Sequence, residues 1–364
     1  MKNIVLFPYH PDIRILINHK DYLVDCRITG FISYKEDARL IRSLNKAMEL
    51  KDKSFIQLIQ KCDAVVFLDN YRDYKYDKYY EVIDAAIKYQ KEVLITPLAK
   101  TKLNLESYAG QCHVLETLPD DFNLIDSEFN ETRVFDLGPY KHEIETPIMA
   151  VLGLGKHCDK FENQLLIKET LSEEYDVTVV CSNALGSLFG CYSLPSFLFE
   201  SISFQEKIIK FNYYINKILK HANPDLIVIG VPEGIAPFKK KEFHHFAEYP
   251  LVISNAVSID IAILCTYFMN DSRFEASLMR LRDFCENKFN IPIGAFSISR
   301  TRFEIPNEVH ERVFYDFLSA TFLDKHYPDL SQINLPIINI LDRNFALKTI
   351  KLSIKPLQEN VKAI

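Results

Sequence analysis

The chain has 364 residues, 48% of them hydrophobic and 25% charged, and its 43 basic against 49 acidic side chains give a net charge of -6. That length asks for two or three domains of roughly 100–200 residues each, and the composition excludes a disordered tail protein, a collagen-like chain and a disulfide-stapled miniprotein. Net acidity removes the global field that would favour nucleic acid or an anionic membrane, so neither is expected as a partner.

No uninterrupted apolar run approaches the roughly 18 residues of a membrane span, and the opening MKNIVLFPYHPDIR lacks the apolar core and small-residue cleavage site of a secretory signal. A cytoplasmic location is the expectation. Cys26, Cys62, Cys112, Cys158, Cys181, Cys191, Cys265 and Cys285 are scattered with no C-x-x-C pair, a pattern of buried, reduced thiols rather than of staples.

In chain order, a strand is expected at Ile4–Phe7, a helix over Asp37–Leu50, a doubly buried strand at Asp63–Asp69, a helix over Asp77–Gln90 and a strand at Glu92–Ile95. Strand alternating with helix predicts an N-terminal Rossmann-like α/β domain over residues 1–118. Its first strand leads into Pro8-Tyr9-His10-Pro11-Asp12 rather than into G-x-G-x-x-G, which disfavours ordinary NAD binding. Residues 119–146, rich in Asp, Glu, Asn and Pro without a sustained period, read as a linker. A second parallel-sheet α/β domain is predicted over 147–300. Its strands are Pro147–Leu152, Val177–Cys181, Leu226–Gly230, Ile259–Phe268 and Ile291–Ile298, with helices at Glu162–Glu173 and near Phe204–His221. Residues 301–364 are expected as a helical C-terminal extension, with a helix over Asn307–Leu323.

Ligands of an open parallel sheet bind beyond the carboxyl ends of its strands, which singles out the loops after Leu152, Cys181 and Gly230. The first has the order of a phosphate cradle: a strand, Gly153 and Gly155, then Lys156, His157 and Lys160, then a helix. Glycines open such a loop to backbone N–H donation, and a helix N-terminus with a lysine adds positive potential. The P-loop places glycine before its lysine and Ser or Thr after it. Here Asp159 and Phe161 stand in those places, with Glu162 next. A carboxylate beside a polyphosphate is repulsive, and a phenyl ring cannot hold a metal. Two readings stay open: a degenerate nucleotide or phosphate site, and a tight strand–helix turn with solvated lysines. In the other loops, Glu233 beside Gly234 is a candidate catalytic or ligand-contacting pair, and Ser182-Asn183 candidate ligand contacts. Lys160, Glu162 and Glu233 are the candidate catalytic residues. Gly153, Gly155, Lys156, His157, Lys160, Phe161, Ser182, Asn183 and Gly234 are the candidate cofactor contacts.

The run from Val151 to Gly190, carrying Gly153, Lys160-Phe161, Gln164-Leu165 and Leu188-Phe189-Gly190, resembles P-loop NTPase-like domains of the dethiobiotin-synthetase type. Their loop reads glycine, five residues, then Gly-Lys-Phe-Thr, and later strands end in Thr-Glu-Pro and Pro-Asp-Leu-Ile-Ile-Val-Gly. Here Cys181-Ser182-Asn183 stands at the first place and Pro224-Asp225-Leu226-Ile227-Val228-Ile229-Gly230 at the second. The resemblance implies Lys160 as phosphate lysine and Gly153 as loop glycine, with the magnesium-holding Thr falling on Glu162 and the last loop glycine on Asp159; ATP or GTP with Mg²⁺ is the implied cofactor. A Rossmann-like domain followed by such a domain resembles the clostridial peptide maturation system proteins, encoded beside radical SAM enzymes and the small precursors of ribosomally made natural products. That likeness implies an accessory protein of peptide maturation, with a precursor peptide and a radical SAM maturase as partners. An ATP-dependent ligase or transferase acting at the Gly153–Lys160 loop, an inactive scaffold and a homo-oligomer stay open.

Three further features carry bland and functional readings side by side. Cys158 and Cys181 could converge near Lys160, where a thiolate would be stabilised, or join His157 and His244 or His245 around Zn²⁺. Lys239-Lys240-Lys241 could attract an acidic leader peptide or simply form a solvated face. The tyrosines Tyr71, Tyr74, Tyr76, Tyr79 and Tyr80 read best as a partner-contact or ligand-covering loop.

Overall fold

The computed structural model describes residues 1–10, 12–34, 37, 47–49, 55–70, 75–120, 122, 142–235, 247–271, 273–304, 314–328, 330 and 333–361. They form two compact units: Met1–Thr117 with Ala184–Cys191, and Leu118–Asn183 with Tyr192–Ile364. Both are α/β.

In the first unit, β1 (Lys2–Phe7), β2 (Cys26–Ser33), β3 (Ala47–Glu49), β4 (Ala64–Phe67), β5 (Glu92–Ile95) and β6 (Cys112–Val114) make one sheet in the order β3-β2-β1-β4-β5-β6. Every neighbouring pair is parallel. This is the strand order of dinucleotide-binding folds, reached without their glycine fingerprint. Each residue of β4 is buried, as a central parallel strand covered on both faces requires. The helices are α1 (Ile13–Asn18), α2 (Phe55–Lys61), α3 (Asp77–Lys88) and α4 (Pro97–Lys102). Along α3, Tyr79, Val82, Ile83 and Ala86 are buried, the spacing that puts one helical stripe on a core. Tyr79 packs its ring 5.1 Å from Phe7 and donates its hydroxyl to the Leu68 carbonyl at 2.8 Å.

Two expectations are corrected in this unit. The helix over Asp37–Leu50 gives way to β3 at Ala47–Glu49, pairing with β2; the rest of that segment, apart from Asp37, lies outside the described residues. Of the tyrosines read as a contact loop, Tyr71 and Tyr74 also lie outside the described residues, Tyr79 is core, and Tyr80 accepts from the Asn104 N–H and stacks on Tyr108. Apolar ring area outweighs one hydroxyl when a partner for that hydroxyl is at hand.

The second unit is built on β7 (Ile148–Gly153), β8 (Val177–Cys181), β9 (Tyr192–Ser193), β10 (Leu226–Gly230), β11 (Ile261–Thr266), β12 (Ile293–Ile298) and β15 (Ile337–Ile338). Their order is β15-β12-β11-β7-β10-β8-β9, all parallel. Helices α5 (Lys160–Leu171), α6 (Phe204–Ala222), α7 (Glu248–Ala256) and α8 (Phe274–Phe289) connect them. With a lysine-bearing helix leaving its central strand, this is a P-loop NTPase-like sheet. Every residue of β7, β10 and β11 is buried. The chain leaves β7 towards β8 on one side and leaves β11 towards β12 on the other. The carboxyl ends of β7 and β11 therefore flank a topological switch point, where an open sheet offers its ligand crevice.

The stretch from 301 on is more than a helical extension. β13 (Thr301–Glu304) pairs antiparallel with β14 (Phe314–Phe317), so the helix expected over Asn307–Leu323 is a strand at 314–317, with α9 starting only at Ala320 (Ala320–His326). Alternating aromatics are the reason: Tyr315 and Phe317 fall on one face of a strand. Further on, β15 joins the main sheet beside β12, and α10 (Arg343–Ser353) packs on α5, tying Arg343 to the buried Glu169. α11 (Lys355–Val361) ends the described chain. The expected linker lies for the most part outside the described residues. Leu188-Phe189-Gly190, matched above to the P-loop domain, belongs to the first unit, where the Val24 N–H donates to the Leu188 carbonyl at 2.9 Å.

Candidate functional site

After Gly153 the chain turns through Leu154–Asp159 into α5. A Cβ on Gly153 would collide with Cys158 Sγ and come within 2.8 Å of Lys160 Cδ; only glycine lets the lysine fold back over the strand end. His157 and Asp159 both have φ 57°, in the left-handed region that His and Asp enter more readily than most side chains. Asp159 therefore preserves the backbone geometry that glycine provides in a P-loop.

The Asp159 carboxylate is drawn away by a residue that the sequence reading missed. Asp159 Oδ2 accepts the Arg300 backbone N–H at 2.8 Å and lies 3.7 Å from Arg300 Nε, while the buried Glu162 carboxylate pairs with Arg300 Nη2. Burial works against the Arg300 charge, but Glu162 and Asp159 outweigh it and hold the guanidinium above its usual value. Both acids that depart from the P-loop pattern are thus engaged by one base, which offsets one of their two negative charges. Arg300 follows directly on β12, so the carboxyl-end rule that singled out the other loops could have found it.

Lys160 is held differently. Its Nζ donates to the Gly155 carbonyl at 3.1 Å and to the Glu233 carbonyl, and no carboxylate among the described residues pairs with it. Half-buried, it is a cation fixed by two neutral dipoles at the N-terminus of α5. Nor do the backbone N–H groups of Gly155, Lys156 and Lys160 find a hydrogen-bond partner among the described residues. Backbone donors left open at a helix N-terminus, beside a lysine, are the chemistry an anion cradle requires.

The loop after β10 closes over this cradle: Val231 N–H donates to the Val151 carbonyl and Ile235 N–H to the Gly153 carbonyl, each at 3.0 Å. Glu233, at φ 58°, enters the cradle through its backbone carbonyl; its charge adds to the burial and the Glu248 charge that push the Tyr249 phenol up. Gly234 is buried beside it. Ser182 and Asn183 stand past β8, where the buried Gln164 takes both polar groups of Ser182: Gln164 Nε2 donates to Ser182 Oγ, and the Ser182 N–H donates to Gln164 Oε1, each at 3.0 Å. Ser182 is thus a brace between α5 and β8. Phe161 is packed in the interior at 5% exposure, and Lys156 projects to solvent with its carbonyl accepting the Tyr267 hydroxyl at 2.6 Å.

Burial decides the cysteine question at Cys158. The desolvated thiol is pushed up more than Lys160 lowers it, and its Sγ–H donates to the Gly155 carbonyl. Cys265 is raised further still by the same cause. No group of His, Cys, Asp and Glu among the described residues could hold a metal; His244, His245 and Lys239–Lys241 lie outside the described residues.

No protein-family model matches the chain, and no curated protein matches it by sequence. By fold it is similar to a DUF1611 family protein from Anabaena variabilis, with a TM-score of 0.57 and 8% identity over 96% of this chain and 99% of that one. A GTPase in apo form from Pyrococcus abyssi aligns with a TM-score of 0.33 and 12% identity over 58% of this chain and 97% of its own. A nucleotide-binding protein from Archaeoglobus fulgidus, in complex with ADP, aligns at 0.31 and 14% over 57% and 86%. At 8% identity the first likeness is one of fold alone, and it runs along the whole chain.

Proposed function

We propose that the loop between β7 and α5 binds a phosphate-bearing ligand, a nucleotide, without hydrolysing it, and that the chain serves in this way as an accessory protein of peptide natural-product maturation. One observation carries the binding reading: Lys160, half-buried at a helix N-terminus, has two carbonyl partners and, among the described residues, no carboxylate. An uncompensated charge in that position is costly unless an anion completes it. A phosphoryl oxygen can replace a carbonyl as its acceptor and take up the N–H groups of Gly155 and Lys156, which find no partner among the described residues.

Magnesium does not fit the same loop. The position that would offer a hydroxyl is Glu162, whose carboxylate is engaged by Arg300, and Asp159 is engaged by the same side chain. With both carboxylates engaged by Arg300, the loop offers Mg²⁺ no ready ligand, which argues against the ligase and NTPase readings. The accessory role rests on the likeness to peptide maturation proteins.

Calorimetry with ATP, GTP and tripolyphosphate, in the presence of a chelator, tests the binding. Micromolar affinity insensitive to Mg²⁺ and reduced at least tenfold in Lys160→Met is the expected result; no binding of any of them at millimolar concentration would overturn it. The accessory role requires a small precursor peptide encoded beside the gene: sequencing the flanking DNA tests for one and fluorescence anisotropy tests its binding, and absence of such a peptide, or of binding with and without nucleotide, removes the role.

A further inference from the structure

We propose that the β13–β14 hairpin is the base-stacking wall of the same site, with Phe317 as the ring that meets the nucleobase. This rests on the phosphate-binding reading and assigns the other end of that ligand. The hairpin register sets Thr301 opposite Phe317 and Phe303 opposite Tyr315. Alternation therefore gathers Phe303, Tyr315 and Phe317 on one face, while Arg302 and Asp316 pair with each other at 3.0 Å on the other.

The aromatic face is joined to the cradle loop at several points. The His157 ring packs edge-on at 5.0 Å from Tyr315 and 5.6 Å from Phe317. Tyr267, whose hydroxyl donates to the Lys156 carbonyl, packs 4.8 Å from Phe303 and 6.0 Å from Tyr315. The hairpin is pinned at its base by Arg300, which accepts from the Leu318 N–H at 2.8 Å through its carbonyl and holds Asp159 with its own N–H. A row of rings thus runs from Phe303 through Tyr267, Tyr315 and His157, on the cradle loop, to Phe317. Phe317 ends that row and is 55% exposed.

What sets Phe317 apart from other exposed rings is its place: it packs against His157 of the cradle loop and leaves the rest of its ring open. The ligand proposed for the cradle carries a flat π-face on a short tether from its phosphates, and base–ring stacking is the interaction such a face makes with an aromatic side chain regardless of base identity. The occupant is therefore a nucleobase, and the site should bind a nucleoside triphosphate more tightly than the bare polyphosphate.

The chain contains no tryptophan, so Phe317→Trp introduces a single reporter at the wall. ATP is expected to quench its emission and tripolyphosphate to leave it unchanged. In calorimetry, Phe317→Ala should lose about tenfold or more in ATP affinity, the scale of one base–ring stack, keep its tripolyphosphate affinity, and melt at the wild-type temperature; Phe317→Tyr should retain ATP. If none of ATP, GTP and tripolyphosphate binds the wild type, the cradle reading falls. If they bind, but ATP binds no tighter than tripolyphosphate and leaves the Phe317→Trp emission unchanged, the cradle stands and the stacking wall is overturned.

Discussion

Arg300 is the residue on which the site's charge balance turns. Glu162 has a nearly buried carboxylate and Asp159 a partly buried one, and two such charges side by side repel unless a cation sits between them. Removing one partner of a buried pair costs more than the pair contributes, because it strands the other charge. Arg300→Gln should therefore destabilise the protein by about 2–3 kcal/mol, somewhat less than a fully buried pair because the guanidinium is partly exposed. It should also release Asp159 towards the cradle and weaken tripolyphosphate binding. The loss of stability should shrink as pH falls and the stranded carboxylates take up protons, and thermal melts of both proteins between pH 4 and 8 check this. Equal destabilisation at every pH would mean that charge is not what Arg300 supplies.

Among elements, the packing of α5 against the carboxyl ends of β8 and β10 does most to shape the site. Phe161 to Ile167 are buried without a break, polar Glu162, Asn163 and Gln164 included, because sheet lies on one side of the helix and α10 on another. Gln164 reaches the β8 loop only because Gly230 leaves room: a Cβ there would lie 2.7 Å from its Nε2 and closer still to Oε1. Gly230→Ala should cost about 1–3 kcal/mol, the range for overpacking a filled interior. In a Gln164→Ala background the same substitution should cost distinctly less, since the two act on one space. Denaturant unfolding of the four proteins measures the coupling, and additive losses would show that Gly230 is needed for some other reason. Gln164 appears in the sequence as one polar residue of a helix. Its bracing role was not legible there, because it depends on which strand end the helix crosses.

On the scale of the whole molecule, the two units can be followed through buried thiols. Burial pushes Cys62, in the first unit, up to about 11 and Cys285, on α8 of the second, up to about 12. In the unfolded chain both would titrate near 8.5. Because the folded values are raised, the stability linked to these groups is complete below about pH 8.5 and is lost as pH rises from there towards 11 and 12. The melting temperature should accordingly hold from pH 7 to 8.5 and fall above pH 9. At pH 8 a thiol reagent should modify Cys112, the one cysteine that is not fully buried, well before the rest. Rapid modification of several thiols in the native protein would contradict this burial.

The sequence by itself determined the fold class and the strands of both sheets that are continuous apolar runs. Ile148–Leu152 and Leu226–Ile229 announce buried parallel strands because no other short element tolerates apolar residues at every position. Gly153 marks the turn out of β7 because a side chain there would meet Cys158 and Lys160. Tertiary structure alone decided what Asp159 and Glu162 mean. Read along the chain they are repulsive carboxylates in a phosphate loop; in the folded protein a guanidinium more than a hundred positions away pairs with both. The pairing of β13 with β14 and the entry of β15 into the sheet were hidden for the same reason. A short strand takes its identity from its partner, and local pattern carries no record of contacts between distant parts of a chain.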